Sequence, residues 1–365
     1  MKRYRAAVVG CGRIGALWET DPPTPLTHAG ALAMQPEVEL VAGCSRGREH
    51  LEAYGKRWNI TALYQDFREM FRKEQLDIVG IATHPGLHKD IVVAAVESGV
   101  RGIFCEKPLA LNLNDADTIV DVCRRAGVTV ACNHTRRWHP AWIKARELLH
   151  QGAIGKLISM YGTCQGVKPY PAWTADEEGP LIHDAVHLFD LFRSFAGDPV
   201  CAVGTALKRW QPFRVEDDSQ AIFEFAGGVS AVALVNELTR YARFDMELQG
   251  TEGMMYLADK GHRLFTSVQV IGHRKEPDPK IEWWKLEEIP FPQTGEARPI
   301  FNAVADLVRC MQTGERPQST AEDGVASLEM CMAIYESQLR GNTPVRFPLT
   351  ERDSALYRLR AAGQL

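Results

Sequence analysis

The stretch Ala6-Ala7-Val8-Val9-Gly10-Cys11-Gly12-Arg13-Ile14-Gly15 decides the fold of this chain. A short apolar run leads into the spacing G-x-G-x-x-G, in which one glycine makes the turn, one lets the backbone approach a pyrophosphate and one packs the following helix. Because the apolar run reads as a strand, the pattern favours a dinucleotide-binding loop over a chance glycine turn. We expect Gly10, Gly12 and Gly15 to form that loop.

Short apolar runs alternate with amphipathic stretches over the first 130 residues. The runs lie at 6–9, 40–43, 78–82, 102–105 and 128–132, an alternation that predicts βαβ units around a parallel sheet. A helix is expected after Asn112, a residue type that caps helix N-termini. We assign 1–130 to a dinucleotide-binding domain. The proline-rich loop 18–27, before a helix expected near His28, receives no role.

The pattern changes beyond residue 150. The segment 244–249 alternates strictly between apolar and polar residues, which is typical of an antiparallel strand with one solvent-exposed face. Further strands are predicted at 200–208, 219–225 and 229–238, and helices at 139–150, 180–196 and 320–340. Residues 131–365 are therefore assigned to a second α/β domain.

Composition narrows the function classes. The chain has 365 residues, 45% of them hydrophobic, and a net charge of -4 without long basic runs, so neither nucleic acid nor a membrane surface is an expected partner. Apolar stretches are too short for a membrane span. Nine cysteines without a C-x-x-C pair indicate reduced core residues in a cytoplasmic protein. Small-molecule chemistry is the expected activity.

The tripeptide Glu106-Lys107-Pro108 follows the apolar run at 102–105. Open parallel sheets bind ligands at the carboxyl ends of their strands, where this places an amine. A desolvated amine beside an oxidised nicotinamide suits proton abstraction from a hydroxyl group. Alternatively, Lys107 is a structural residue paired with Glu106. The sequence favours the acid/base role for Lys107.

The end of the second predicted strand bears on the choice of cofactor. Ser45 and Arg46 stand there, with Arg48 close behind and no acidic residue to bind a ribose 2′-hydroxyl. Serine and arginine suit a 2′-phosphate, although both arginines could equally be solvated side chains of the next helix. We expect NADP in preference to NAD.

Three polar residues share the predicted helix at 180–196. His183 and His187 are four residues apart, and Asp184 and His187 three, so they lie on adjacent faces. Such groups can bind a sugar hydroxyl. The pattern H-D-x-x-H also resembles a zinc helix, but no third ligand stands at a recognisable spacing and no metal is expected. A core role for one of the two histidines stays open.

Taken together, these motifs resemble the glucose-fructose oxidoreductase, inositol dehydrogenase and MocA family (Gfo/Idh/MocA) over nearly the whole chain. The landmarks, in order, are GCGRIG at 10–15, Thr83-His84-Pro85 with His88, Glu106-Lys107-Pro108, the segment 133–138, and the helix with His187 and Asp190.

The resemblance implies a Rossmann domain followed by an α/β domain with an open, mainly antiparallel sheet that often serves as an oligomer interface. It implies that Lys107 is the acid/base and that His187 assists. One departure is that the family's usual Asp, four residues before the histidine, aligns with His183, while Asp184 is displaced by one position. The residues implied to line the cofactor are Gly10, Gly12, Arg13, Ile14, Gly15, Ser45, Arg46, Thr83, His84, His88, Glu106, Lys107 and Trp138.

The sequence therefore predicts an NADP- or NAD-dependent dehydrogenase acting on a sugar, a sugar derivative or a cyclitol. Arg136, Tyr170 and Trp173 are candidate substrate contacts from residue type and position alone. A homodimer or homotetramer is expected from the resemblance. Two alternatives remain open: a glycosidase that uses NAD transiently and without net redox change, and a sensor that binds nucleotide without catalysis.

Overall fold

The structure is a computed structural model that describes residues 3–166, 176–259, 261–270 and 283–365. Residues 3–139 contain β1 Tyr4–Val9, α1 His28–Ala33, β2 Val38–Cys44, α2 Arg48–Trp58, β3 Ala62–Tyr64, α3 Phe67–Lys73, β4 Ile78–Ile81, α4 His88–Glu97, β5 Gly102–Cys105, α5 Leu113–Ala126 and β6 Thr129–Cys132. The five apolar runs predicted as strands are confirmed as β1, β2, β4, β5 and β6.

The rest of the chain alternates differently. Residues 140–296 contain α6 Pro140–His150, β7 Leu157–Gln165, α7 Val186–Ala196, β8 Pro199–Leu207, β9 Asp218–Phe225, β10 Ser230–Asn236, β11 Arg243–Gly250, β12 Gly253–Ala258, β13 His262–Gln269 and β14 Trp284–Ile289. Residues 297–365 contain α8 Pro299–Thr313, α9 Ala321–Leu339, β15 Val345–Arg346 and α10 Ala355–Ala361.

The chain forms two compact units that are not continuous in sequence. The first comprises 1–139, 297–332 and 350–357, and the second 140–296, 333–349 and 358–365. Helix α8 belongs to the first unit because its apolar residues, including Ile300 and Leu307, join the same buried cluster as Val8, Ile78 and Phe104. Nothing in the sequence pattern predicted that residues 297–332 belong to the first unit.

The first unit is built on a six-stranded parallel sheet in the order β3-β2-β1-β4-β5-β6. Its central strands are almost continuously apolar and buried, as expected when helices cover both faces. The strand order reverses between β1 and β4, which is where such sheets bind dinucleotides. Helix α5 begins as predicted, since the Asn112 side chain accepts a hydrogen bond from the Asp115 amide at 2.8 Å.

The second unit is built on an open nine-stranded sheet in the order β14-β13-β12-β11-β7-β10-β9-β8-β15. β7 and β10 pair in parallel and the other neighbours are antiparallel. Strand β9 shows the period-two pattern most clearly: Ala221 and Phe223 are buried, whereas Ile222 and Glu224 are exposed. The α/β fold with a Rossmann domain and a mainly antiparallel second sheet is confirmed.

Candidate functional site

The glycine loop lies between β1 and β4. Gly10 has φ +97°, a left-handed conformation suited to glycine, and a Cβ atom there would overlap the Ala82 carbonyl after β4. A Cβ atom at Gly15 would overlap the Gly10 carbonyl, whereas one at Gly12 would meet no atom within 4 Å. The loop thus closes on itself at Gly10 and Gly15 and leaves space over Gly12. That space fits the approach of a pyrophosphate.

A short π-helical turn, Arg13–Leu17, follows Gly12 and has no side-chain cap. Its first amides therefore lack acceptors within the turn, as at any helix start. The Arg13 guanidinium lies 4.2 Å from the ring centre of Trp18. Arg13 and Ile14 are thus placed after β1 beside the glycines, and their contact with a cofactor stays a prediction.

The loop 18–27 is organised by the buried carboxylate of Glu19. That carboxylate accepts hydrogen bonds from the Thr24 amide at 2.8 Å, the Leu26 amide at 2.9 Å and the Thr27 hydroxyl at 2.9 Å. Thr27 in turn caps α1, which begins at His28 as expected. These hydrogen bonds fix the conformation of the loop 18–27, which belongs to the first unit.

The ends of β2 and β4 present different groups at the same edge of the sheet. After β2, Ser45 is half-buried and Arg46 is exposed, and Arg48 pairs with Glu52 at 3.2 Å. After β4, Thr83 and His84 are half-buried, and the Gly86 amide donates to His84 Nδ1 at 3.3 Å. Positions 45 and 46 thus carry a hydroxyl group and a guanidinium group and no carboxylate.

His88 is fully buried and supports the neighbouring loops. Its Nε2 lies 3.1 Å from the Thr83 carbonyl and its Nδ1 3.2 Å from the Leu109 carbonyl. Those contacts hold the loops that follow β4 and β5. The contact of His88 with a cofactor stays a prediction.

The Glu106 carboxylate is the buried centre of the β5 edge. Its Oε1 lies 3.0 Å from His28 Nε2 and accepts from Asn133 Nδ2 at 2.6 Å. Burial alone would raise the pKa of Glu106, but the hydrogen bond and charge of His28, the charge of Lys107 and the Asn133 hydrogen bond together hold that pKa below its ordinary value. Glu106 is therefore an anion that anchors the β5, β6 and α1 ends.

Lys107 follows that anchor and is half-buried. Because the Glu106 carboxylate already bonds to His28, Asn133 and the Lys107 amide, the backbone that carries the lysine is held in place. The glycine loop after β1 and Lys107 after β5 stand at the carboxyl edge of one sheet, separated by β4. The structure thus brings both parts of the predicted redox site into one unit.

Two other predicted residues have different surroundings. Trp138 is 2% exposed, and its indole nitrogen donates to Asp306 at 2.9 Å, so the side chain lies in the core of the first unit. Arg136 is half-buried in the turn before it. Their cofactor and substrate roles stay predictions. Tyr170 and Trp173 lie outside the described residues.

His183, Asp184 and His187 share one turn of the second unit. The π-helical segment Leu181–Ala185 runs directly into α7. Between Leu181 and Asp190, these three residues are half-buried and all the others are buried. His183 Nδ1 lies 2.9 Å from Oε2 of Glu178, a carboxylate with 2% exposure. One turn therefore carries two imidazole groups and a carboxylate at half-buried positions, and the residues between them are buried. Such π turns are frequent at functional sites.

The carboxyl group of Glu216 lies at the beginning of this turn and is completely buried. Its Oε1 accepts from the Leu181 amide at 3.1 Å and from the Tyr335 hydroxyl at 2.8 Å, while Oε2 has no hydrogen-bond partner among the described residues. Burial raises the pKa of Glu216 to about 7, against the opposing hydrogen bonds of Tyr335 and Leu181 and the charge of Arg360. Glu216 is thus a titratable group beneath the helix that carries the histidines.

Three polar residues of these sites were not predicted from the sequence. They are His28, Glu178 and Glu216, all buried at 2% exposure or less. Nothing local marks them as partners, whereas Asn133 belongs to the landmark at 133–138. His28 and Glu106 are 78 residues apart along the chain, so their pairing depends on the sheet.

Metal binding and membrane insertion are two further properties to consider for the described residues. Across these residues, His, Cys, Asp and Glu side chains form no group of three or more that could hold a metal ion. Within the same part of the chain, no helix combines the length and the apolar character that crossing a membrane requires.

Comparison with known proteins places the chain. Residues 4–134 match the model described as the oxidoreductase family with an NAD-binding Rossmann fold, and residues 142–256 match the GFO/IDH/MocA C-terminal domain. The chain is 28% identical to D-apiose dehydrogenase of Paraburkholderia graminis, over 94% of this chain and 90% of that protein. It is 25% identical to scyllo-inositol 2-dehydrogenase (NAD+) of Bacillus subtilis, over 94% and 96% respectively.

Among solved structures, levoglucosan dehydrogenase in complex with NADH and L-sorbose is similar in fold. The TM-score is 0.78 at 20% identity, covering 95% of this chain and 100% of that one. The family models cover all six strands of the first sheet and strands β7 to β11 of the second, and the glycine loop and Glu106-Lys107-Pro108 stand at the edge that such a fold uses for nucleotides. The chain belongs to the Gfo/Idh/MocA family of NAD(P)-binding oxidoreductases.

Proposed function

We propose that the protein is a dehydrogenase that moves a hydride between a nicotinamide dinucleotide and a carbon of a sugar, sugar derivative or cyclitol. The observation that carries this proposal is the position of Lys107, held by the Glu106 anchor at the carboxyl end of β5 on the sheet whose β1 bears the glycine loop. The similarity to dehydrogenases of apiose and inositol supports the substrate class.

The residues of the chain have the following proposed roles. When bound, the nicotinamide accepts or returns the hydride. Lys107 takes the proton of the substrate hydroxyl during oxidation and returns it during reduction. His187, with His183 and Asp184, orients the substrate and passes protons to solvent. Gly10, Gly12 and Gly15 give the pyrophosphate its place beside β1.

NADP is proposed as the preferred cofactor. Ser45 and the exposed Arg46 follow β2, where an acidic residue binds the ribose 2′-hydroxyl in many NAD enzymes. A guanidinium and a hydroxyl at this position can bind a 2′-phosphate. The NAD named for the scyllo-inositol relative keeps NAD as the alternative. A reducing compartment such as the cytoplasm is proposed because the nine cysteines include no C-x-x-C pair and eight of them are buried.

The proposed function is tested by following reduced nicotinamide in the near ultraviolet while the protein meets pentoses, hexoses, sugar acids and inositols. NADP and NAD are supplied in separate wells. We expect reduction of the nicotinamide with one sugar class and a higher kcat/KM with NADP. Cofactor binding without reduction across the panel would contradict the proposal, and cleavage of glycosides under those conditions would identify the redox-neutral glycosidase instead.

We further propose that the exposed face of the second sheet binds another copy of the chain. Tyr161 on β7 pairs with Val232 on β10, which pairs with Ile222 on β9, so the three side chains form one row on a single face. Tyr161 and Ile222 are 47% and 48% exposed. Exposed apolar rows on a sheet are typical of interaction sites, and the family resemblance implies an oligomer here.

Replacing Ile222 by glutamate is expected to produce monomers, because a charge placed in an apolar interface must be desolvated without a partner. Size-exclusion chromatography with light scattering measures the mass of each variant. The matched control is Met34→Glu, since Met34 is 39% exposed and lies at the C-terminal end of α1 in the first unit, not on this sheet. A wild-type monomer, or equal masses for wild type and Ile222→Glu, would contradict this prediction.

A further inference from the structure

Position 183 is where this chain departs from the pattern of its family. The family resemblance implies a carboxylate four residues before His187, whereas this chain has the imidazole of His183 there and Asp184 at the next position. An aspartate at this position offers an oxygen that accepts a hydrogen bond or proton directly. An imidazole can do so only if the correct ring nitrogen carries the lone pair.

Glu178 supplies the means of selecting that nitrogen. Its Oε2 lies 2.9 Å from Nδ1 of His183, its side chain is 3% exposed, and the His183 side chain is 28% exposed. A carboxylate on Nδ1 requires a proton on that atom, because a carboxylate accepts and does not donate. The buried acid and the half-exposed ring therefore form an ordered pair, with the carboxylate on the inner side.

The local backbone holds both partners. The His183 amide donates to the Gly179 carbonyl at 2.9 Å, which starts the turn one residue after Glu178. A Cβ atom at Gly179 would overlap the Glu216 carboxyl group, and Glu216 itself accepts from the Leu181 amide. The segment from Glu178 to His183 is thus fixed by contacts within the second unit.

We propose that Glu178 is a positioning residue of the dehydrogenase: it holds His183 with the proton on Nδ1, so that Nε2 of an imidazole replaces the carboxylate oxygen of the family's pattern. This inference rests on the proposed function. Histidine oriented by a buried carboxylate is a general device for proton transfer. Glu178 acts only through His183 and does not touch the substrate.

The proton balance is simple. In alcohol oxidation, the substrate O–H bond breaks, a C=O bond forms, and the hydride leaves carbon with its electron pair for the nicotinamide. The proton that Lys107 takes from the hydroxyl group ends in solvent by way of His183: Lys107 gives it up, Nε2 accepts it to form the imidazolium, and the imidazolium gives it to water. The charge of Glu178 stabilises that imidazolium. No electrons pass through the pair.

The first test is the pH profile of kcat/KM for oxidation in Glu178→Gln. Glu178 faces the ring from the preceding segment, and Asp184 and His187 neighbour it on its own turn. Loss of the Glu178 charge is expected to move the acidic limb of the profile about one unit lower and to lower kcat about tenfold, the scale seen for partners that orient functional histidines. A purely structural residue would lower the rate without moving the limb, and that result overturns the proposal.

The second test does not depend on activity. With 15N-labelled histidine, the imidazole nitrogen shifts of His183, identified by their loss in His183→Gln, report which nitrogen is protonated. We expect a protonated Nδ1 in the wild type and a shifted tautomer ratio in Glu178→Gln. An unchanged ratio overturns the proposal. Because no cofactor or substrate is present, this result separates the pair from the proposed reaction, which fails if the wild type reduces no nicotinamide.

A third test uses His183→Asp, which restores the carboxylate that the family resemblance implies at this position. In His183→Asp, Glu178→Gln is expected to leave the rate unchanged or raise it, because two adjacent carboxylates repel each other. An equal loss in both backgrounds would make Glu178 structural. If Glu178→Gln does not fold, His183→Asp alone decides: its acidic limb is expected about two units lower, and an unmoved limb contradicts the proposal. Glu177→Gln is the neighbouring control.

Discussion

Lys107→Met is expected to lower kcat for oxidation about 10²- to 10⁴-fold, the range that a positioned acid/base contributes. Methionine keeps an unbranched apolar stem of similar length and removes only the amine. Because the glycine loop lies on β1 and its contacts with the Ala82 carbonyl do not involve the lysine, cofactor binding is expected to persist. Stopped-flow absorbance gives the rate, and nicotinamide fluorescence gives cofactor affinity.

The control for this change is Lys73→Met, which removes an exposed lysine of α3 paired with Glu69 at 2.7 Å. It is expected to leave the rate unchanged, since an exposed pair of this kind contributes little. If Lys107→Met keeps more than half of the wild-type rate, Lys107 is a structural partner of Glu106 and not the acid/base. A loss of folding is recognised from Tm and would be distinguished from a loss of chemistry.

Glu216→Gln is expected to stabilise the protein at alkaline pH and to leave its stability near pH 4.5 unchanged. The pKa of Glu216 is raised by burial to about 7 in the folded protein, from an ordinary value of 4.5. The folded state therefore binds the proton more tightly than the unfolded state. The stability associated with the protonated group is fully present below pH 4.5 and is lost as pH rises through about 7.

Glutamine has the shape of the protonated carboxyl group and does not ionise. Its carbonyl can accept from the Leu181 amide and the Tyr335 hydroxyl as Oε1 does now. Above pH 8 the difference in free energy of unfolding approaches about 3 kcal/mol as an upper limit, which corresponds to a Tm several degrees higher. Thermal melts between pH 4.5 and 9 measure it.

Glu224→Gln on β9 is the matched control, because it makes the same change of side chain at a position that is exposed to solvent. Its Tm difference from the wild type is expected to stay constant with pH. Equal pH dependence of Tm in the wild type and Glu216→Gln would show that Glu216 is ionised in the folded protein without cost. In that case the orphaned Oε2 atom must have a partner such as bound water.

The sequence by itself determined the elements whose cause is local. Apolar runs bounded by polar stretches predict β1, β2, β4, β5 and β6, since central parallel strands are buried on both faces. The cap at Asn112 is a contact between residues three apart. The glycine loop follows from the steric freedom that Gly10 needs at φ +97°. Lys107 became a candidate from its position after a predicted parallel strand, and His187 from its helical spacing to His183 and Asp184.

Only the tertiary structure decided which distant groups meet. Helix α8 joins the core of the first unit although more than 150 residues separate it from β6. His28 meets Glu106 across the sheet, and Tyr335 meets Glu216 from a distant helix. Trp138 belongs to the family landmark at 133–138, yet its indole nitrogen donates a hydrogen bond to Asp306 in the core. A buried polar group must find a partner wherever the fold supplies one, and periodicity within a segment contains no information about that partner.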